Sequence, residues 1–208
     1  MTITQIFSTP LKCQQFEIDS KALSEFCYDV QKTDTGTKKS NSGNAWQSNN
    51  LDIVNHLEKN EIFKSLVSNI STCGNVFAQE LGIVPNVIIQ NMWINISKTG
   101  GYNTTHVHPK SILSGCFYVK TPENCGSIVF TNPTKNLINA YIDYWHLMDE
   151  GKLDNSPLSH SEWQIHPKEN NIVLFPSWLE HYVNDNKSDE DRISISFNFA
   201  ILNTEVIK

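Results

Sequence analysis

The stretch Arg192–Leu202, RISISFNFAIL, indicates the fold class of this chain more clearly than any other. Isoleucine or phenylalanine occupies every second position from Ile193 to Ile201, and small or polar residues occupy the positions between them. Because successive side chains of a β-strand point to opposite faces, this alternation predicts a strand with one apolar and one polar face. The polar face begins with Arg192, the only arginine in the chain.

Other segments downstream of Pro85 are also typical of short strands, because Gly, Pro and Asn clusters separate them. They are Val87–Ile96, Ile112–Lys120, Ser127–Phe130, Glu162–Ile165, Asn171–Phe175 and Leu179–Val183. Several short strands with this punctuation indicate an antiparallel sandwich or barrel. The segment between Phe130 and Glu162 is too long for a simple turn, so we expect its part Ala140–Met148 to form a lid or an inserted helix.

The first 82 residues have the period of helices instead. Apolar residues recur at helical spacing over residues 22–30, behind Asp19 as a candidate N-cap, and again over residues 62–81. The polar stretch Gln31–Asn44 between them is predicted to be a mobile loop. We expect both helices to pack on the outside of the strands that follow.

The domain organisation follows from the length and from the even pattern of the strands. A chain of 208 residues lies within the range of a single all-β domain. No break in the pattern indicates a second domain. The sequence therefore predicts one domain over residues 1–208, with an irregular start and supporting helices in residues 1–84 and the barrel in residues 85–202.

Charge and cysteine content argue against several classes of protein. Sixteen basic against 22 acidic residues give a net charge of −6, which argues against nucleic acid or a membrane surface as the partner. No apolar run approaches the roughly 20 residues that cross a bilayer. The five cysteines show no C-x-x-C spacing, which indicates free thiols in a reducing compartment, and we expect a cytoplasmic location.

Three of the seven histidines stand apart from the others by their spacing. His106 and His108 are two residues apart in an extended segment, so both rings should lie on the same face. Pro109 favours an extended conformation at His108. His181 follows a Pro-Ser-Trp turn, and Arg192 comes eleven residues later. Three imidazoles and an arginine on the strands of one barrel could form a cavity with a metal at one end and a carboxylate anchor at the other.

An ordered set of segments carries a family resemblance. The set is His106-x-His108, Leu113–Val119 (LSGCFYV), Gly126–Phe130 (GSIVF), Phe175-Pro176-Ser177-x-x-x-His181 and Arg192-Ile193-Ser194. Each motif is weak alone, but in this order they resemble the iron(II)/2-oxoglutarate-dependent oxygenases, and most of all a group related to prolyl hydroxylases. The resemblance covers roughly residues 86–202. It implies a mainly β fold, a double-stranded β-helix (jelly-roll) barrel with flanking N-terminal α-helices.

The resemblance also implies roles for particular residues. His106 would be the first metal ligand and His181 the distal one, while His108 stands where most members carry a carboxylate. Arg192 would bind the far carboxylate of 2-oxoglutarate. The remaining cosubstrate-binding candidates are Ser194, Tyr118 and Asn95.

The reaction implied by the resemblance uses Fe(II), 2-oxoglutarate and O2. It hydroxylates an unactivated C–H bond of a peptide side chain or a small molecule and releases succinate and CO2. Three neutral imidazoles suit zinc, copper or nickel as readily as iron. Two alternatives therefore stay open at this point: a three-histidine cupin-like metalloenzyme that does not use 2-oxoglutarate, and a barrel that binds a ligand without turnover.

Overall fold

The computed structural model describes residues 8–84, 86–136 and 160–202. These ranges contain the helices α1 (Ser20–Thr33), α2 (Ile53–Lys59) and α3 (Glu61–Glu80). Their strands are β1 (Lys12–Gln15), β2 (Asn41–Ser42), β3 (Ala45–Gln47), β4 (Val87–Ser97), β5 (Tyr102–His106), β6 (Leu113–Lys120), β7 (Ile128–Thr131), β8 (Glu162–Ile165), β9 (Asn171–Pro176), β10 (His181–Val183) and β11 (Arg192–Ile201). No helix in this part of the chain is long and apolar enough to cross a membrane.

The strands form two antiparallel sheets. The larger sheet has the order β1-β9-β6-β11-β4-β3, and the smaller has the order β2-β5-β10-β7-β8. Strands that are neighbours in a sheet are mostly far apart in sequence, as in a jelly roll. The predicted fold class, a double-stranded β-helix with flanking N-terminal helices, is confirmed.

Strand β11 lies at the centre of the larger sheet and divides the helical layer from the space between the sheets. It pairs with β4 along its whole length and with β6 on its other side. Four side chains of its apolar face are fully buried in the core that the helices cover; they are Ile193, Ile195, Phe197 and Phe199. Burial of each contributes about 1.5–3 kcal/mol relative to exposure. The alternation that predicted this strand therefore also explains why it is central.

Helices α1 and α3 pack on that apolar face. Each begins at a capped residue: the Asp19 carboxylate accepts a hydrogen bond from the Ala22 amide at 3.0 Å, and the Asn60 side chain accepts one from the Phe63 amide at 2.8 Å. Gly74 of α3 lies so close to the sheet that a Cβ atom would overlap the ring of Phe199. The helices thus cover one face of the sheet, and the residues of its opposite face line a pocket.

The structure differs from the sequence prediction in the first third of the chain. Helix α2 was not predicted, because it is seven residues long and buries none of its side chains. The stretch Gln31–Asn44 contains the end of α1 and all of β2, and strands β1 to β3 add edges to both sheets. The predicted lid Ala140–Met148 lies outside the described residues.

Candidate active site

A pocket of about 520 Å³, counting its open mouth, lies between the two sheets. The polar face of β11 forms its floor through Arg192, Ser194 and Ser196. The smaller sheet supplies His106 and His181 from the opposite side. Side chains from both sheets therefore face one another across a single space.

His106, His108 and His181 converge at one end of this pocket. His106 ends β5, His181 begins β10, and the two residues are direct partners in the antiparallel register. Their ring nitrogens and those of His108 offer one atom each within 4.8 Å of one another. Nε2 of His108 lies 3.3 Å from Nε2 of His181. Of the described residues, none with a carboxylate belongs to this cluster.

Backbone carbonyls orient two of the three rings. Nδ1 of His106 lies 2.7 Å from the Thr104 carbonyl oxygen, and Nδ1 of His181 lies 2.8 Å from the Leu179 carbonyl oxygen. A carbonyl only accepts, so both Nδ1 atoms must carry the proton and donate. Each Nε2 is then left with its lone pair, which is how metal-binding histidines are commonly arranged.

The donor set fits a divalent transition metal. Imidazole nitrogens bind such ions at about 2.0–2.1 Å, so two nitrogens on one ion lie about 3.0–3.5 Å apart. The 3.3 Å between His108 and His181 is within that range. Burial is the main cause that lowers the pKa of His181 to about 3 and of His108 to about 4, and it also lowers the pKa of His106. All three rings are thus neutral at pH 7, as metal ligands must be.

Arg192 is held at the other end of the pocket. The side chain is 3% exposed, and its Nη1 donates to the carbonyl oxygens of Cys125 at 2.5 Å and Asn184 at 3.1 Å. Its Nη2 donates to Ser97 Oγ at 3.2 Å. These contacts use three of the five N–H groups of the guanidinium, so two donors have no partner among the described residues and remain for a ligand.

Gly126 is required for this arrangement. Its φ of +84° is in the left-handed region, which glycine enters without penalty. A Cβ atom there would lie 2.7 Å from the Asp185 carbonyl oxygen and 2.8 Å from Nη1 of Arg192. A side chain at this position would therefore displace the guanidinium or the loop that holds it.

Tyr118, Ser194 and Asn95 lie side by side near Arg192. In the sheet register Ser194 is opposite Tyr118 on β6 and Asn95 on β4. Burial raises the pKa of Tyr118 well above its usual value, so its hydroxyl stays protonated and can donate. The Asn95 amide donates from Nδ2 to Ser196 Oγ at 3.0 Å, while its buried Oδ1 has no hydrogen-bond partner among the described residues. The side chain therefore has hydrogen-bonding capacity to spare inside the pocket.

Residues 91–198, just over half of the chain, match the family model described as "Putative 2OG-Fe(II) oxygenase". The chain belongs to the 2OG-Fe(II) oxygenase family. It is therefore an enzyme, and its cofactors are iron(II) and the cosubstrates 2-oxoglutarate and O2. No curated protein matches the sequence.

Solved structures with the fold of this oxygenase include two prolyl hydroxylases. A prolyl-4-hydroxylase from Pseudomonas putida is 12% identical, with a TM-score of 0.63 over 94% of this chain and 95% of its own. The viral collagen prolyl hydroxylase of Paramecium Bursaria Chlorella virus-1, in complex with 2-oxoglutarate, is 14% identical, with a TM-score of 0.60 over 92% and 96%. HygX from Streptomyces hygroscopicus, with nickel and 2-oxoglutarate bound, is 10% identical, with a TM-score of 0.58 over 93% and 83%. At these identities the likeness establishes the fold.

The pocket of the oxygenase also contains residues that the sequence analysis did not assign to it. The Trp93 ring lies 5.8 Å from the His108 ring and lines the pocket; its strand face, shared with Asn95, indicated this, although ordinary packing was the expected role of Trp93. Ser196 shares the face of Arg192 and Ser194 in the same way. Ser40 also lines the pocket, but it comes from a loop and nothing in the local sequence marks it.

The histidine cluster predicts how the stability of the metal-free oxygenase changes with pH. An unfolded histidine titrates near 6.5, whereas folding lowers the pKa of His108 to about 4 and of His181 to about 3. Between these values the unfolded chain binds more protons, so the free energy of unfolding falls as the pH drops from about 6.5 towards 3. We expect a lower urea midpoint at pH 5 than at pH 7.5.

A double variant isolates this effect from that of other groups. His108→Gln with His181→Gln keeps two neutral polar side chains that do not titrate. Its urea midpoint should fall less between pH 7.5 and 5 than that of the unmodified chain. An equal fall in both proteins would contradict the lowered pKa values.

Proposed function

We propose that this oxygenase hydroxylates an unactivated C–H bond of a peptide side chain or a small molecule, with release of succinate and CO2. The observation that carries the proposal is that three inward-facing imidazoles occupy one end of a pocket, and a guanidinium with two N–H groups unpaired among the described residues occupies the other end. Proteins with this fold include a prolyl-4-hydroxylase and HygX with hygromycin B bound, so both substrate classes are compatible with it.

His106, His108 and His181 would hold the iron through their Nε2 atoms. Bound iron(II) supplies the one-electron and O2 chemistry that amino-acid side chains lack. The hydrogen bonds from His106 Nδ1 and His181 Nδ1 to backbone carbonyls fix the tautomer of each ring before the ion arrives. His108 would stand in the place of the carboxylate that most members of the family carry.

Arg192 would bind the far carboxylate of 2-oxoglutarate with its two remaining N–H groups, since a guanidinium grips a carboxylate with two parallel hydrogen bonds. Ser194 and Tyr118 would donate hydroxyl groups at the same end of the pocket. Asn95 lies on the next strand and would use its spare capacity on the cosubstrate. An amide offers either an oxygen or an NH2 group to the pocket, depending on which end Ser196 binds.

Electrostatics favours a doubly charged cosubstrate in this site. Three neutral imidazoles cancel none of the charge of a divalent ion, and the described cluster contributes no carboxylate. A 2-oxoglutarate dianion would balance that charge, and Arg192 would attract its far end. Trp93, Ile128 and Phe175 add apolar walls to this otherwise polar space, and excluding water next to them strengthens these interactions.

We also propose that residues 1–208 act as a single oxygenase domain. Strands β1 and β3 pair with β9 and β4 in the larger sheet, and β2 pairs with β5 in the smaller one. The strands of residues 8–84 therefore complete the same sheets that carry the pocket.

Absorption and product analysis together test the proposed reaction. Metal-free protein mixed with iron(II) and 2-oxoglutarate without air should develop a visible charge-transfer band that neither addition alone produces. Admitting air should then convert 2-oxoglutarate to succinate. Absence of the band would contradict joint binding at this site, and a band without succinate in the presence of candidate peptide and small-molecule substrates would contradict turnover.

A further inference from the structure

One turn contacts two of the three clustered histidines. This turn, Pro176–Leu179, joins β9 to β10 and is closed by a hydrogen bond from the Leu179 amide to the Pro176 carbonyl at 2.9 Å. The Leu179 carbonyl accepts the hydrogen bond from His181 Nδ1 at 2.8 Å. The Ser177 carbonyl accepts one from the backbone N–H of His108 at 3.0 Å. The orientation of the turn therefore decides where the His181 ring points and where the His108 backbone lies.

A chain of buried polar side chains anchors this turn to the larger sheet. Ser177 Oγ lies 2.7 Å from Ser114 Oγ on β6, and Ser114 Oγ donates to Asn198 Oδ1 on β11 at 2.7 Å. Asn198 Nδ2 donates in turn to Asn91 Oδ1 on β4 at 2.9 Å. Because Ser114 has one hydroxyl proton and gives it to Asn198, the Ser177 hydroxyl must be the donor to Ser114. The chain thus runs in one direction, from the turn across three adjacent strands.

Because these polar side chains are buried, their hydrogen bonds are satisfied in only one arrangement. Ser114 and Ser177 are each 1% exposed and Asn198 is 6% exposed, so water cannot replace a missing partner. A buried polar group without a partner is strongly unfavourable, and a fully satisfied buried network therefore specifies one arrangement. Apolar side chains at these positions would fill the space but would not fix the rotation of the turn, because the hydrophobic effect is not directional.

We infer that Ser177 and Ser114 are positioning residues that hold His108 and His181 in the geometry of a metal site. This inference rests on the proposed function, because it assumes that these histidines bind the metal. Neither serine lines the pocket. They act through the turn, whose two carbonyls contact the histidines directly.

Cobalt(II) binding tests this inference without relying on activity. Titration of metal-free protein with cobalt(II) gives an affinity, and the visible absorption of the bound ion reports its coordination geometry. We expect Ser177→Ala and Ser114→Ala each to weaken cobalt(II) binding by about 10–100-fold, as outer-shell changes do, and to shift the visible bands.

Ser48→Ala is a matched control for these variants. Ser48 is also 1% exposed and makes two hydrogen bonds, from the Ile94 amide at 2.9 Å and to the Asn49 carbonyl at 2.7 Å. It contacts β4 on the side away from the turn, so its loss should lower the unfolding midpoint while leaving cobalt(II) affinity and spectrum unchanged. A merely structural role for Ser177 and Ser114 predicts that all three variants behave alike, and that result would overturn the inference.

Two further variants make every outcome informative. Asn91→Ala removes the last side chain of the hydrogen-bonded series that starts at Ser177, and because Asn91 is half-buried the risk to folding is small. It should shift the cobalt(II) spectrum in the same direction as Ser114→Ala, but by less. An unchanged cobalt(II) spectrum in Asn91→Ala would contradict the inference that these buried hydrogen bonds position the histidines. His181→Ala separates the two proposals: if it binds cobalt(II) as tightly as the unmodified chain, the proposed metal site itself is wrong.

Discussion

Replacing His181 with alanine is expected to lower iron(II) affinity by more than the roughly 100-fold that outer-shell changes cause, because it removes a ligand itself. His181 is the most buried of the three imidazoles, and its Nε2 lies 3.3 Å from that of His108. The two remaining nitrogens, from His106 and His108, could not complete a three-nitrogen face. Titration with iron(II) without air, or with cobalt(II), measures the loss.

Two other variants define what this result means. His166→Ala makes the same substitution at an exposed histidine bonded to Ser127 Oγ, so its metal affinity should equal that of the unmodified chain. His108→Asp supplies a carboxylate oxygen where most of the family has one, and it should retain the metal. If His181→Ala and His166→Ala bound iron equally well, the three-histidine site would be wrong.

Replacing Arg192 with lysine is expected to weaken 2-oxoglutarate binding by about 10–100-fold, or about 1.4–2.7 kcal/mol. The positive charge survives this change, but the pair of parallel N–H groups that grips a carboxylate is lost. The carbonyls of Cys125 and Asn184, which now share Nη1, would also lose well-placed donors. The dissociation constant can be measured from the charge-transfer band in the absence of air.

The choice of ligand distinguishes a direct contact from general damage to the pocket. 2-Oxobutyrate has the oxo acid group of 2-oxoglutarate but lacks the far carboxylate, so Arg192→Lys should weaken its binding much less. Gly126→Ala should likewise weaken the binding of 2-oxoglutarate more than that of 2-oxobutyrate. Its Cβ atom would crowd Nη1 of Arg192, although the arginine itself is not replaced. Equal losses for both ligands would remove Arg192 from carboxylate binding.

Local patterns in the sequence predicted most of the barrel. Alternation placed β11 over Arg192–Leu202, and the structure has it over Arg192–Ile201. The edge strand β8 over Glu162–Ile165 has the predicted bounds. The helix α2 and the short strands β1, β2 and β3 were missed, because they owe their conformation to caps and to pairing with distant strands rather than to any periodicity of their own.

The parts of the site that could be predicted are those with a signature in spacing. His106 and His108 were identifiable because they are two residues apart in an extended segment. His181 was identifiable because it follows a recognisable turn, and Arg192 because it is the only arginine and begins the alternating strand. The chain from Ser177 to Asn91 was not, because Ser114 and Asn198 are 84 residues apart and become neighbours only when β6 pairs with β11. Hydrogen bonds across neighbouring strands leave no mark in any short window of sequence.

The two-faced character of β11 has a consequence for how such an enzyme diversifies. Odd-numbered residues from Ile193 to Phe199 face the helices, and even-numbered residues from Arg192 to Ser196 face the pocket. Selection for stability and selection for catalysis therefore act on alternate residues of the same strand. A laboratory library randomised at Ser194 and Ser196 alone can change what enters the cavity while the hydrophobic interior keeps its packing.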